Sequence, residues 1–107
     1  MNRELREAVR PGVLPSDLYR LTMRLFEEEG YDSLTPQAGH SLGRVAHEPP
    51  FLVEGPDRPL ESGMIVVEEP TMRLAGVGSI NIEDTTVVTE DGCEVLTSTP
   101  REWGAFL

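Results

Sequence analysis

The chain holds a single cysteine, Cys93, among its 107 residues. That excludes an internal disulfide and any zinc site built from cysteines, and it fits a reducing compartment. Positive charge is also scarce: nine basic residues against nineteen acidic ones leave a formal net charge of −10 and a pI near 4.5. So acidic a surface argues against a nucleic-acid backbone or an anionic membrane as principal partner. No apolar run approaches the ~20 residues that span a bilayer, and the opening MNRELREAVR lacks the apolar stretch of a signal peptide. What is there is an ordinary globular mix, 38% hydrophobic and 26% charged. A chain of this length buries one modest core and no second one. The expectation is a soluble, acidic, cytoplasmic protein.

Proline and glycine punctuate the rest. Asn2 to Arg10 carries Leu5, Ala8 and Val9 at helical spacing, and Pro11-Gly12 ends that helix. A second helix is predicted from Ser16 to Gly30, with Ser16 as N-cap, Leu18, Leu21, Leu25 and Phe26 as the buried stripe, and Gly30 as its left-handed terminus. From Thr35 the character turns to β. Pro49-Pro50 and then Glu54 to Pro59 read as a polar loop. Met64 to Val67 reads as a buried strand ended by Glu68-Glu69-Pro70, and Ile80 to Thr89 as another. Glu90-Asp91-Gly92 then makes a hairpin turn into Glu94 to Thr97. The fold class is α+β: two helices first, then a mostly antiparallel sheet of three to four strands.

Chemistry has few places to reside. The only histidines, His40 and His47, fall in one glycine-flanked stretch. Two acidic pairs end or interrupt apolar strands, Glu68-Glu69 and Glu83-Asp84. Alternation along a strand places Glu83 on one face with Asn81, Thr85 and Val87, and Asp84 on the other with Ile80 and Ile82. One of the two acids is therefore poorly solvated if both faces are covered, and such a carboxylate needs a cation, a metal or a proton. An imidazole with carboxylates from separate strands suits a divalent ion such as Mn, Fe, Co or Zn. Taken singly, each feature has a plainer explanation: a hydrogen-bonding histidine, a strand end entering a turn, an edge strand with solvated acids.

Taken in order, they resemble a family. Gly39-His40-Ser41-Leu42-Gly43, His47-Glu48-Pro49-Pro50, Gly63-Met64 with Glu69-Pro70, Ile82-Glu83-Asp84-Thr85 and Thr89-Glu90-Asp91-Gly92 are similar to the C-terminal half of the pita-bread metallohydrolases. These include methionine aminopeptidase, creatinase, proline aminopeptidase and prolidase. The short intervals between the motifs look most like the prolidase and Xaa-Pro peptidase branch. Glu7 to Gly12 and the helix from Ser16 to Gly30 resemble the helical layer before this segment, so the likeness covers nearly the whole chain.

The resemblance implies a metal-dependent hydrolase that cleaves an Xaa-Pro peptide or dipeptide with a metal-activated water. His40, Glu69 and Glu83 match metal ligands, Glu69 also taking the proton of that water and Glu83 bridging two ions. His47 matches the histidine that steadies the developing oxyanion. Glu68 is the rival to Glu69, but the glutamate directly before proline fits the motif. Asp84 has at most an orienting role. The implied fold is two helices packed on a mostly antiparallel sheet, the C-terminal portion of the pita-bread fold.

The chain also departs from the family pattern. Two aspartate ligands from an upstream strand pair find no counterpart: Asp17 and Asp32 are the only aspartates before His40, and neither is expected in a strand pair. The expectation is thus a partial catalytic domain over residues 1–107, lacking its N-terminal half. It would bind at most one of the two family ions (Mn, Co, Fe or Zn), weakly, and be inactive alone. Completion by an N-terminal half or a homodimer partner is open. Ser41, Thr71 and Ser79 to Asn81 replace residues more typical of the family, at the substrate pocket and beside Glu83. Creatinase-like C–N hydrolysis, a metal-dependent lyase and a non-catalytic interaction module are the alternatives.

Overall fold

In the computed structural model, which describes residues 2–33, 37–55 and 57–100, the chain opens with helices α1 (Asn2–Ala8) and α2 (Pro15–Glu29). A helix as short as α1 is marginal alone. Leu5 and Val9, both fully buried, hold it to the rest of the molecule. The segment after it is tied down by Leu60, which exchanges backbone hydrogen bonds with Gly12 and Val13.

Ser16 does not cap α2, contrary to the sequence reading. The helix starts one residue earlier: Leu14 is the extended cap residue and Pro15 opens the first turn, where its fixed φ and missing N–H are at no disadvantage. Ser16 consequently turns inward, and its buried hydroxyl has no partner among the described residues. The other end agrees with expectation. Gly30 adopts φ 75°, its N–H meets the Glu27 carbonyl, and the Tyr31 N–H reaches back to Phe26. Leu18 and Phe26 are buried on the inner stripe with Thr22 between them, while Leu21 and Leu25 are half-buried.

The β region forms two small sheets rather than one. Strands β1 (Asp32–Ser33), β4 (Thr71–Leu74) and β5 (Gly78–Asn81) pair in the order β1-β4-β5. Strands β2 (Gly39–His40), β3 (Ile65–Glu68), β6 (Asp84–Val88) and β7 (Cys93–Val95) pair in the order β2-β3-β6-β7. All pairings are antiparallel. The strand expected from Ile80 to Thr89 is broken at Ile82-Glu83, so that Asn81 ends β5 and Asp84 starts β6. Pro70 is the physical reason. It has no N–H to continue a ladder, so β3 stops before it and β4 begins a new sheet after it; the returning arm changes sheet at the same level. Asp32 lies in a strand pair after all, opposite Arg73. The expected turn at Glu90-Asp91-Gly92 joins β6 to β7, closed by the Thr89 N–H on the Gly92 carbonyl at 2.9 Å. The predicted onset of β structure at Thr35, and Pro56 of the predicted loop, lie outside the described residues.

Leu5, Val9, Leu18, Ala38, Leu52, Leu60, Val66 and Val88 form the core between the helices and one face of the four-stranded sheet. The opposite face of that sheet carries His40.

Candidate metal centre

Register decides which side chains meet. His40 pairs with Val67 and Val67 with Thr85; the neighbouring rung is Gly39, Glu68 and Asp84. Because side chains alternate, His40, Val67 and Thr85 share one face, while Glu68, Asp84 and Thr86 share the other with Val66 and Val88. Glu68 is fully buried on this core side. Its Oε1 accepts from the Thr86 hydroxyl at 2.8 Å, and Oε2 has no partner among the described residues. Burial pushes the carboxyl up to about 7, reinforced by Asp84 and opposed by the Thr86 hydrogen bond and by Arg6. Asp84 is the poorly solvated member of its pair, 3% exposed, with Oδ1 accepting from Thr97 at 2.9 Å; Glu83 is exposed.

The His40 ring is buried, and Nδ1 lies 2.9 Å from the Ser41 carbonyl oxygen. A carbonyl only accepts, so Nδ1 is the donor in this contact. Nε2 faces Glu69, whose Oε2 is 3.5 Å away. The Glu69 backbone is anchored by its N–H on the Ala38 carbonyl at 2.8 Å, and its Oε1 accepts from Nδ2 of Asn81 at 3.1 Å. Gly39 permits the close strand pairing beneath: a Cβ there would stand 2.0 Å from the Val67 carbonyl oxygen.

His47 reaches the same spot through a loop. Ser41 and Glu48 exchange backbone hydrogen bonds at 3.1 Å in both directions, closing the chain between them. The Ser41 hydroxyl also holds the Ile65 carbonyl, at 2.6 Å. This clasp sets the exposed His47 ring 4.2 Å from the His40 ring, centroid to centroid. One ligand atom each from His40, His47 and Glu69 fall within 4.8 Å of one another. Glu83 does not join that group. It sits at the β5–β6 junction, one residue beyond the rung that pairs Glu68 with Asp84.

Buried His40, its Nδ1 on a backbone carbonyl, and Glu69, with the exposed His47 ring beside them, match the donor chemistry of a borderline divalent ion. Residues present and cation therefore fit. Asn81 was not foreseen as a contact of Glu69, because reading one strand through Ile80 to Thr89 hid the sheet change that carries it there. Thr86 as partner of Glu68 depends on the β3–β6 register, which alternation within one strand does not give.

The sheet face turned away from the helices thus gathers His40, His47 and Glu69 into one donor cluster. Residues 1–90 match metallopeptidase family M24, and the chain belongs to that family. It is 34% identical over 97 residues to the Xaa-Pro dipeptidase of Pyrococcus furiosus, an alignment covering 90% of this chain and 28% of that protein. The crystal structure of dipeptidase PepE from Mycobacterium ulcerans superposes with a TM-score of 0.85 at 33% identity, over 94% of this chain and 27% of that one. The X-Pro aminopeptidase of Thermotoga maritima superposes with a TM-score of 0.86 at 31% identity, over 94% and 29%. The two helices and antiparallel sheets are thus an arrangement of the pita-bread fold. The chain spans between a quarter and a third of the length of these relatives. Among the described residues no helix is long and apolar enough to cross a membrane.

Proposed function

We propose that residues 1–107 correspond to the C-terminal portion of a pita-bread catalytic domain and carry part of the site of an Xaa-Pro peptidase. The observation that carries this reading is Nε2 of buried His40 facing Oε2 of Glu69 at 3.5 Å. Relatives named Xaa-Pro dipeptidase support the choice of peptide or dipeptide substrate.

In this reading His40 and Glu69 hold a divalent ion, with Glu83 as the further carboxylate and Mn, Co, Fe or Zn as candidate ions. When bound, such an ion supplies a Lewis acid that polarises the scissile carbonyl and makes water a nucleophile near neutral pH. The chain's own residues do the rest. Glu69 accepts a proton from the attacking water and passes it to the leaving nitrogen. His47, exposed beside His40, donates a ring N–H to the oxyanion that develops on the carbonyl. Remaining carboxylate ligands for a second ion come from outside these residues, supplied by a complementing segment or a second copy. A cytoplasmic location agrees with the single free Cys93.

The test is a manganese or cobalt titration followed by an Xaa-Pro dipeptide assay. The reading expects one weakly bound ion per chain, no turnover alone, and turnover once a complementing N-terminal half is added. Turnover that persists after His40→Ala in the complemented enzyme would contradict it.

A further inference from the structure

Glu69 is held from two sides. Its Oε2 faces Nε2 of His40 at 3.5 Å, while its Oε1 accepts from Nδ2 of Asn81 at 3.1 Å. The second contact is built into the fold. Asn81 ends β5, and the β4–β5 register sets it opposite Thr71, two residues beyond Glu69. The hairpin between these strands is short, closed by the Val77 N–H on the Leu74 carbonyl at 3.1 Å, so the register cannot slip without unpairing the sheet.

A carboxylate free to rotate offers a cation either oxygen, or both together. With Oε1 engaged by an amide, the oxygen turned toward His40 is Oε2. The amide is also neutral, so it orients the carboxylate without cancelling its charge.

We propose that Asn81 is a positioning residue for the metal centre: through Oε1 it holds Glu69 so that Oε2 alone faces His40 and the divalent cation. This rests on the assignment of His40 and Glu69 as ligands made above. Loss of such a supporting hydrogen bond typically weakens metal affinity by ~10- to 100-fold.

The test uses the 107-residue chain, with Mn2+ as the probe and free Mn2+ followed by electron paramagnetic resonance. Asn81→Ala should weaken binding by about 10- to 100-fold, and Asn81→Gln, which keeps an amide donor, should restore part of it. In the metal-free chain, the side-chain amide resonance of Asn81 should move in Glu69→Ala and stay put in Glu83→Ala. Thermal melts should be alike across the Asn81 variants, since the residue is exposed. If wild type binds Mn2+ and His40→Ala abolishes it, yet every Asn81 variant binds like wild type, the positioning role is overturned and the ligand assignment stands. An amide resonance indifferent to Glu69→Ala, or a loss of affinity that only tracks a loss of stability, overturns the role as well. No Mn2+ binding by wild type overturns both.

Discussion

Glu68 and Glu69 are adjacent in the chain and serve opposite sides of the same sheet: Glu68 lies in the core against Thr86, and Glu69 turns to His40 on the other face. One peptide step separates a carboxyl that burial drives toward its neutral form from one placed to offer charge to a cation. The two glutamates should therefore answer differently to substitution and to metal.

Glu68 should make the chain less stable as pH rises. Its folded value, about 7, is above the 4.5 of the unfolded chain. Between those values the folded state holds a proton that the unfolded state has released, so stability is full below about 4.5 and is lost as pH passes through about 7. The loss should be about 3 kcal/mol. Urea melts from pH 5 to pH 8 check it, and Glu68→Gln should flatten the profile. A wild type whose stability rises over that window would be at odds with the burial of this carboxyl.

Gly39 should tolerate no side chain. A Cβ would meet the Val67 carbonyl oxygen at 2.0 Å, and backbone cannot move aside as a flexible side chain does. Gly39→Ala should cost about 1 to 3 kcal/mol and displace β2, hence His40, from β3. A melt combined with the amide shifts of Val67 and Glu68 reads both effects; an unchanged melt would show that the strands pair more loosely than described.

Leu5 should carry the attachment of α1. Fully buried among core side chains, it should cost about 2 to 5 kcal/mol on truncation to alanine. Hydrogen exchange should show α1 opening before α2 in that variant, because seven residues cannot sustain a helix alone.

Much of this architecture was legible in the residues. Apolar spacing found both helices, Gly30 marked the end of the second, and Glu90-Asp91-Gly92 marked the last hairpin. What misled was local chemistry that gives two equally good readings. Ser16 is a good cap in isolation, but Pro15 starts the helix first. Ile80 to Thr89 is uniformly strand-like, and only the pairing partners of its two halves show that it changes sheet. Asp32 joins a two-residue strand too short to have a pattern. At the centre, the order of motifs drew attention to His40, His47, Glu69 and Glu83, of which Glu83 stands outside the donor cluster, and alternation separates Glu68 from Glu69 without further help. The contact from Asn81 to Glu69 was hidden because it depends on that same change of sheet.

His47 should matter for turnover more than for folding. It is exposed, and its ring contact with His40 is the interaction described for it, so His47→Ala should leave the melt unchanged within about 0.5 kcal/mol. In the complemented enzyme the same change should lower kcat with little change in Mn2+ affinity. A large loss of affinity instead would make His47 a ligand rather than an oxyanion donor.

The most direct measurement is calorimetric titration of Mn2+ into the wild-type chain, His40→Ala and Glu69→Gln under identical conditions. The geometry predicts one ion per chain for wild type and loss of binding in each variant; Glu69→Gln should leave the metal-free melt unchanged, while His40→Ala, which empties a buried site, should lower it. Equal binding by all three would contradict the claim that these two side chains form the metal centre.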